Sequence, residues 1–467
     1  MEITKKITQA AGLAEAEREP LARLVDIYND HAAANAEKRK YYEGHIRLSE
    51  VNLGLALPKG MQGLEIGCAW GEKTVDVLAA RSLFDGFVGS SGEDATTMTR
   101  IMNANRLKSE YPKACRDELK YGCEFATLSA DPVIGCRIRF HSPETAAAEW
   151  DGEKGRIARG FAIIDRKTDP TTHKETPTLI HYHTDEAVWI LRLNKDAWSA
   201  KEYPHQMGRP LMEPMTWNAT SAKPFGRSRL KKPIRELIRG YVRTVANATI
   251  ALEFATAPQK YILGVTDAQY DVLVDQKFKQ YVGSILVSTG NPETGEKPTF
   301  GQLSQGTLDP HVQQLRMLAT QFSAATGLTV TDVGVVNDAN PTSSDAILAQ
   351  SQTLILMAEQ LNAGNGDSLH TIAMMAQAIA RNVTMDDLTD EERDVVAHFK
   401  NPAMPSVSSM TDAALKLATA RDGFAETDVF LEMTGFDQAD IRRIKAQEKR
   451  SRGLRILTEE LGNENTV

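Results

Sequence analysis

Apolar residues recur at helical spacing over long reaches of this chain and at alternate positions in one middle block, so helices flank a β region. Leu21, Leu24, Val25 and Tyr28 sit at i, i+3, i+4 and i+7 and predict a helix within residues 10–50, leading into Tyr41-Tyr42-Glu43-Gly44. A further helical stretch over 72–81 ends near Asp85-Gly86-Phe87. From Cys123 to about Trp217 the pattern alternates: residues 135–140, 159–164, 178–183 and 187–193 read as strands. Asp151-Gly152, Thr168-Asp169-Pro170 and Asn194-Lys195-Asp196 mark the turns between them. No helical pattern intervenes, so an antiparallel sheet is expected rather than a βαβ series.

Pro204, Gly208, Pro210 and Pro214 punctuate the exit from that block, and Gly226-Arg227-Ser228 opens the next. A long helix is predicted from Lys232 to Thr256, because Pro233 fits only a first turn. Its apolar positions Ile234, Leu237, Tyr241, Val245, Ala248, Leu252 and Ala255 step by three or four. At 1.5 Å per residue it is about 37 Å long. After roughly fifty residues of strand and turn signals, Asp309 reads as an N-cap, Pro310 as the first helical position and Gly327 as a left-handed stop. Val312, Leu315, Leu318, Ala319 and Phe322 form the stripe of this second helix. A loop ending in Asn340-Pro341-Thr342-Ser343-Ser344 launches a third, with Asp345 favourably placed against its N-terminal dipole. That helix continues through Ile347, Leu354, Met357 and Leu361. Gly364-Asn365-Gly366-Asp367 is expected to interrupt it before helix resumes over 368–381. The last eighty or so residues read as helical, with a basic tail from Arg442 to Arg455. The fold class expected is α+β.

Charge narrows the function. The net charge is −8 and aromatics make up 6%. Neither suits a broad nucleic-acid grip or an aromatic base-stacking platform. Cys68, Cys115, Cys123 and Cys136 show no C-x-x-C pair and no histidine at zinc-ligand spacing, so buried reduced thiols and no metal are expected. The N-terminus lacks the apolar core of a signal peptide, and no apolar run reaches the length of about 18 residues that spans a membrane.

Two glycine turns look like cofactor loops. Leu64-Glu65-Ile66-Gly67-Cys68-Ala69-Trp70-Gly71 resembles the first motif of S-adenosylmethionine methyltransferases, but Ala69 stands where a glycine belongs and no parallel sheet is predicted after it. Gly71-Glu72-Lys73-Thr74, and likewise Gly295-Glu296-Lys297, separates the glycine from the lysine that a phosphate loop needs adjacent. His181-Tyr182-His183 puts two imidazoles on one strand face with no further ligand at a recognisable spacing, so satisfied or solvent-facing histidines are expected. Lys232, Arg235, Arg239 and Arg243 share one face of the first long helix. A solvated face, inter-subunit ion pairs, or electrostatic contact with a phosphate backbone or an acidic partner all stand open for them. A DNA-binding adaptor acting through this face is a further alternative.

Taken in order, these segments resemble the portal proteins of long-tailed double-stranded DNA phages. The resemblance rests on Tyr41-Tyr42-Glu43-Gly44-His45; on Trp70, Val75-Asp76, Leu78-Ala79, Arg81 and Gly86-Phe87; and on Ser142-Pro143 and Asp151. It continues through Gly208, Pro210, Gly226-Arg227-Ser228, Ala257-Pro258-Gln259-Lys260-Tyr261, Phe300-Gly301-Gln302, Asn340-Pro341, Ser343-Ser344 and Ala346-Ile347. Asn401-Pro402 and Asp412-Ala413-Ala414-Leu415-Lys416-Leu417 complete it.

The resemblance implies a homo-oligomeric ring, usually dodecameric, at the capsid vertex of the virion, assembled in the host cytoplasm. It implies a non-enzymatic structural protein without cofactors. The ring would nucleate procapsid assembly with the major capsid and scaffold proteins and conduct double-stranded DNA during packaging and ejection. It would dock the terminase large subunit and later the head–tail adaptor. The portal parts map to a mixed wing at 1–227 and a two-helix stem at 228–256 and 308–326. A small α/β clip falls at 257–307, a tunnel loop at 327–343, a long wing helix at 344–382, and wing end and helical crown at 383–467. In the tunnel loop Asp332, Asn337, Asp338 and Asn340 would face DNA. With no Lys or Arg from Val330 to Ser343, the loop reads as a non-adhesive collar. Lys232, Arg235, Arg239 and Arg243 would be the stem's electrostatic contacts.

Overall fold

The structure, a computed structural model, describes residues 3–51, 65–89, 96–195, 197–256, 260–266, 285–289, 299–302, 307–334, 344–403, 407–436 and 438–464. The chain is α+β. Helix α1 (Glu15–Glu43) stops at Gly44, whose left-handed backbone (φ 74) suits a residue without a β-carbon. Strands β1 (Ile46–Arg47) and β2 (Glu65–Ile66) pair antiparallel, with α2 (Leu48–Val51) next in sequence after β1. Helix α3 (Trp70–Ala79), strand β3 (Phe84–Gly89) and helices α4 (Thr96–Ala104) and α5 (Leu107–Tyr121) follow.

The middle block is antiparallel, as its alternation predicts. Strands β4 (Cys123–Asp131) and β5 (Gly135–His141) form a hairpin. Then β6 (Ala146–Asp151), β7 (Arg156–Thr168), β8 (Glu175–His183), β9 (Ala187–Asn194) and β10 (Ala197–Pro204) make a five-stranded meander in sequence order. Strand β11 (Met212–Thr216) returns to the free side of β4. One face of the meander carries Phe161, Ile163, Ile180, Tyr182 and Leu191, all buried against Leu21, Leu24, Val25 and Tyr28 of α1. Burying each of these side chains contributes about 1.5–3 kcal/mol, so the predicted α1 stripe is what fixes the helix across the sheet.

Helix α6 (Lys232–Thr256) has the predicted bounds. Strands β12 (Lys260–Val265), β13 (Ile285–Thr289) and β14 (Thr299–Gln302) form a small mixed sheet, with β12 parallel to β13 and antiparallel to β14. After it come α7 (Asp309–Thr326), α8 (Ser344–Arg381), α9 (Asp390–Arg393), β15 (Val395–Phe399), α10 (Val407–Ala420), α11 (Asp428–Met433) and α12 (Gln438–Glu464). The larger core gathers α3, β3, the β4–β5 hairpin, α6, α7 and α8.

Four expectations change. Asp309 is the first helical residue rather than the cap: Leu308 holds the cap position without a side-chain bond, and Asp309 Oδ2 instead accepts from Thr307 Oγ1 (2.7 Å). The break expected at 364–367 is absent, and α8 runs unbroken for 38 residues. Asn365 does not compete for its own backbone, because its amide is committed to Tyr111 Oη (3.0 Å) and Glu118 Oε2 (2.8 Å). A strand, β15, interrupts the expected C-terminal helices by pairing antiparallel with β3. The buried row of α6 is Ile234, Ile238, Val242 and Ala246, while Leu237, Tyr241, Val245 and Ala248 are half-buried and Leu252 is 47% exposed. An i, i+4 row faces the core, and part of the predicted seam lies to one side of it.

Candidate functional site

The site is the junction where the two long helices, the loop after them and α8 meet. Its foundation is the chain leading into α6. Trp217 N donates to Gly122 O (3.0 Å), Arg227 N to Trp217 O (2.8 Å) and Arg229 N to Leu119 O (2.9 Å), which stitches residues 227–229 to the end of α5. Gly226 is left-handed (φ 68), and a β-carbon there would sit 2.4 Å from both Gly122 O and Trp217 O, so the turn admits only glycine.

This turn delivers Arg229 into the interior. Its Nε donates to Thr74 O (2.6 Å) on α3, Nη2 to Thr326 O (2.7 Å) at the end of α7 and Nη1 to Met357 Sδ (3.5 Å) on α8. One guanidinium thus ties four segments by its rigid fork of donors. Burial lowers its pKa to about 10, so it stays charged at neutral pH. Trp70 is the apolar counterpart, packed between Tyr241 of α6 (centroids 4.5 Å) and Phe322 of α7 (4.6 Å). Arg229 precedes α6 and meets the last turn of α7, while Gly240 faces Leu318, so the two helices run antiparallel.

Gly327 closes α7 in the left-handed conformation (φ 74), and Ser323 Oγ donates to Leu328 O (2.6 Å). The loop then folds on itself. Asp332 Oδ2 accepts from Thr329 N (3.0 Å) and Thr329 Oγ1 (2.8 Å), and Lys73 Nζ donates to Asp332 O (2.6 Å). Asp332 therefore spends its carboxylate on the turn that pins residues 329–332 to α3. Asn337, Asp338 and Asn340 lie outside the described residues, as does most of 257–307.

The four cations on α6 divide. Arg235 pairs with Glu37 (2.6 Å), and Arg239 with Glu236 (3.0 Å) and Glu37 (3.6 Å). Both guanidiniums lie over the Tyr41 ring, at 5.7 and 5.6 Å, and Arg239 also donates to the Tyr41 hydroxyl. Lys232 is exposed and Arg243 half-buried, neither with an ion-pair partner among the described residues.

Along with Arg229, a buried polar group around Glu118 escaped sequence reasoning. Glu118 is fully buried, accepts from Asn365, and is pushed up to about 8 by burial; among the described residues its Oε1 and the Asn365 Oδ1 have no partner. Tyr111 Oη joins the group by accepting from Asn365 Nδ2 (3.0 Å), and Ser82 Oγ lies 2.7 Å from that hydroxyl. His183 is buried with both ring nitrogens unpartnered among the described residues, against the expectation of a satisfied or solvent-facing histidine. Burial first, then neighbouring positive charge, lowers both His181 and His141 to about 4. Among the described residues no group of three or more candidate ligands is placed to hold a metal, and no helix is long and apolar enough to cross a membrane. The four cysteines are buried and free, as expected.

The stretch that looks like a cofactor motif forms a different structure. Glu65 sits on the two-residue antiparallel ladder beside Arg47 and His45. Gly71 lets α3 approach α1, since a β-carbon there would lie 1.9 Å from Tyr41 O. Lys73 and Thr74 go to the junction.

No family model matches the chain, and no curated protein does. Among solved structures it is similar to a chain of the virion of a native gene transfer agent particle, with a TM-score of 0.43 and 11% identity over 79% of this chain and 89% of that one. A chain from the neck of the native particle, computed with C12 symmetry, gives 0.42 and 10% over 79% and 89%. One from the neck of the empty particle, computed with C6 symmetry, gives 0.43 and 10% over 76% and 87%.

Proposed function

We propose that this chain is a portal subunit: a structural protein, not an enzyme, that closes into a ring at a capsid vertex and conducts double-stranded DNA. The observation that carries the reading is the antiparallel α6–α7 pair, rooted with the start of the loop and with α8 on one buried guanidinium. Those elements occur in the order the sequence resemblance requires. In this reading α6 and α7 are the stem at 228–256 and 308–326, residues 257–307 the clip, 327–343 the tunnel loop and 344–382 the wing helix. Residues 1–227 form the wing, and 383–467 the wing end and crown.

Side chains left outside the core support an assembly. Leu252 on α6, Val312 and Met317 on α7 and Leu356 on α8 are each 46–55% exposed. Apolar positions on the outer side of long helices suit packing against a neighbour in a closed ring, where each contact is heterologous. The acidic balance suits a channel through which DNA slides without being held. The terminase large subunit and then the head–tail adaptor would dock at the clip. Capsid and scaffold proteins would meet the ring as the procapsid nucleates.

Negative-stain electron microscopy with light scattering on the same sample tests this. Rings of subunits around a hole wide enough for a duplex are expected. Monodisperse monomers, with or without scaffold protein, would overturn the reading.

A further inference from the structure

A cleft of about 650 Å³ opens where α1, the start of β4, the β5–β6 connection and residues 223–235 converge. Its floor is apolar, with Tyr28, Phe125 and Phe225. Its rim is not: Lys38, Lys223, Arg227, Lys231, Lys232 and Arg235 line it, against the single carboxylate of Glu37, which Arg235 and Arg239 already occupy. Lys223, Arg227, Lys231 and Lys232 are exposed and have no ion-pair partner among the described residues. Lys38 Nζ donates to Asn35 Oδ1 (3.1 Å) and Tyr121 O (3.0 Å), so this ammonium meets no carboxylate among the described residues either. Burial, and then Arg235, lowers its pKa. The N-terminus of α6 adds its positive end at Lys231 and Lys232. Such a rim attracts carboxylates.

The chain carries a matching run. Asp386, Asp387, Asp390, Glu391, Glu392 and Asp394 stand together with one cation, Arg393. Thr384 holds Asp387, and Thr389 and Arg381 hold Glu392. Asp386, Asp390 and Glu391 are exposed without an ion-pair partner among the described residues. The run follows directly on the end of α8, where Ala380 Cβ lies 3.0 Å from the position of a β-carbon on Gly135, at the start of β5. The basic cleft lies at the other end of the same strand, beside Pro143. Seven residues of strand place the two about 20 Å apart, so one copy cannot satisfy its own cleft.

We infer that the acidic run 386–391 of one copy docks in the basic cleft of the next, as a head-to-tail contact that propagates around the ring. A self-complementary pair displaced across the subunit makes a heterologous interface, the kind that closes into a ring. The inference rests on the ring reading and specifies its register.

Charge reversal tests it, with assembly followed by mass photometry over a concentration series and folding checked by circular dichroism. Arg227→Glu/Lys231→Glu/Lys232→Glu, and separately Asp386→Lys/Asp390→Lys/Glu391→Lys, should each raise the concentration for half-assembly at least about tenfold. Both triples in one chain should restore rings, and an equimolar mixture of the two variants should form rings that neither forms alone. If each triple assembles like the parent, the contact is wrong while the ring reading stands. If the parent itself stays monomeric, the ring reading falls and takes the contact with it. A cleft reversal that fails to assemble and is not rescued by the reversed run assigns the cleft to another anion, such as DNA phosphate, and overturns the inference.

Discussion

Arg229 is held by two carbonyl oxygens and a sulfur, and among the described residues by no carboxylate. Replacing it with methionine fills the space but removes the donors, and should lower unfolding stability by about 2–4 kcal/mol in a urea titration. Lysine keeps the charge and loses the fork, so a similar loss is expected. Glu118 makes a prediction with a definite sign. Burial raises its pKa from 4.5 to about 8, so the folded state prefers the neutral acid. Its contribution to stability is whole below pH 4.5 and is lost as pH rises through 8, with a slope of at most about 1.4 kcal/mol per pH unit. Glu118→Gln cannot ionise and should flatten that part of the stability–pH curve, measured by denaturant midpoints between pH 5 and 8.5. An unchanged curve would show that Glu118 is not the titrating group.

At the scale of elements, punctuation decided what was legible. Pro233 in the first turn of α6, Pro310 at the head of α7 and Gly327 after it left those helices little freedom, and their predicted spans agree with the structure to within a residue. Glycine misled at 364–367 because a distant carboxyl, not the local sequence, settles what Asn365 does. Strand β15 was illegible for the same reason: its partner β3 lies about three hundred residues away in the sequence, and five residues carry too little pattern to reveal it. Arg229 stands in sequence as one of several cations between 227 and 235, with nothing local to mark it, and the Gly226 turn makes it internal. Of the loop residues singled out, Asp332 is placed; the cations on α6 are placed but split between ion pairs and open surface. Two glycines separate packing from propensity. Gly364 has open space around its missing β-carbon, so Gly364→Ala should stabilise by roughly 0.5–1 kcal/mol. Gly71→Ala drives a methyl into the backbone of α1 and should cost about 3 kcal/mol or more. Thermal melts of the two variants should move in opposite directions.

For the whole molecule, the proposed conduit makes its prediction through the loop. If DNA slides past a collar without cations, then Asn337→Lys and Asp338→Lys should slow packaging in a reconstituted assay, and more so at low salt. Faster packaging would sink the collar idea while leaving ring formation untouched.

The shared anchor at Arg229 also has a mechanical meaning. With the root of α6, the end of α7 and the middle of α8 fixed to one rigid group, the helix pair is a lever whose fulcrum lies at its base. Over an arm of about 37 Å, a tilt of about 5° carries the far tip about 3 Å. In such a tilt, residues 329–332, next to the fulcrum, would move far less than the tip. A push at the tip would therefore reach α8 as torque.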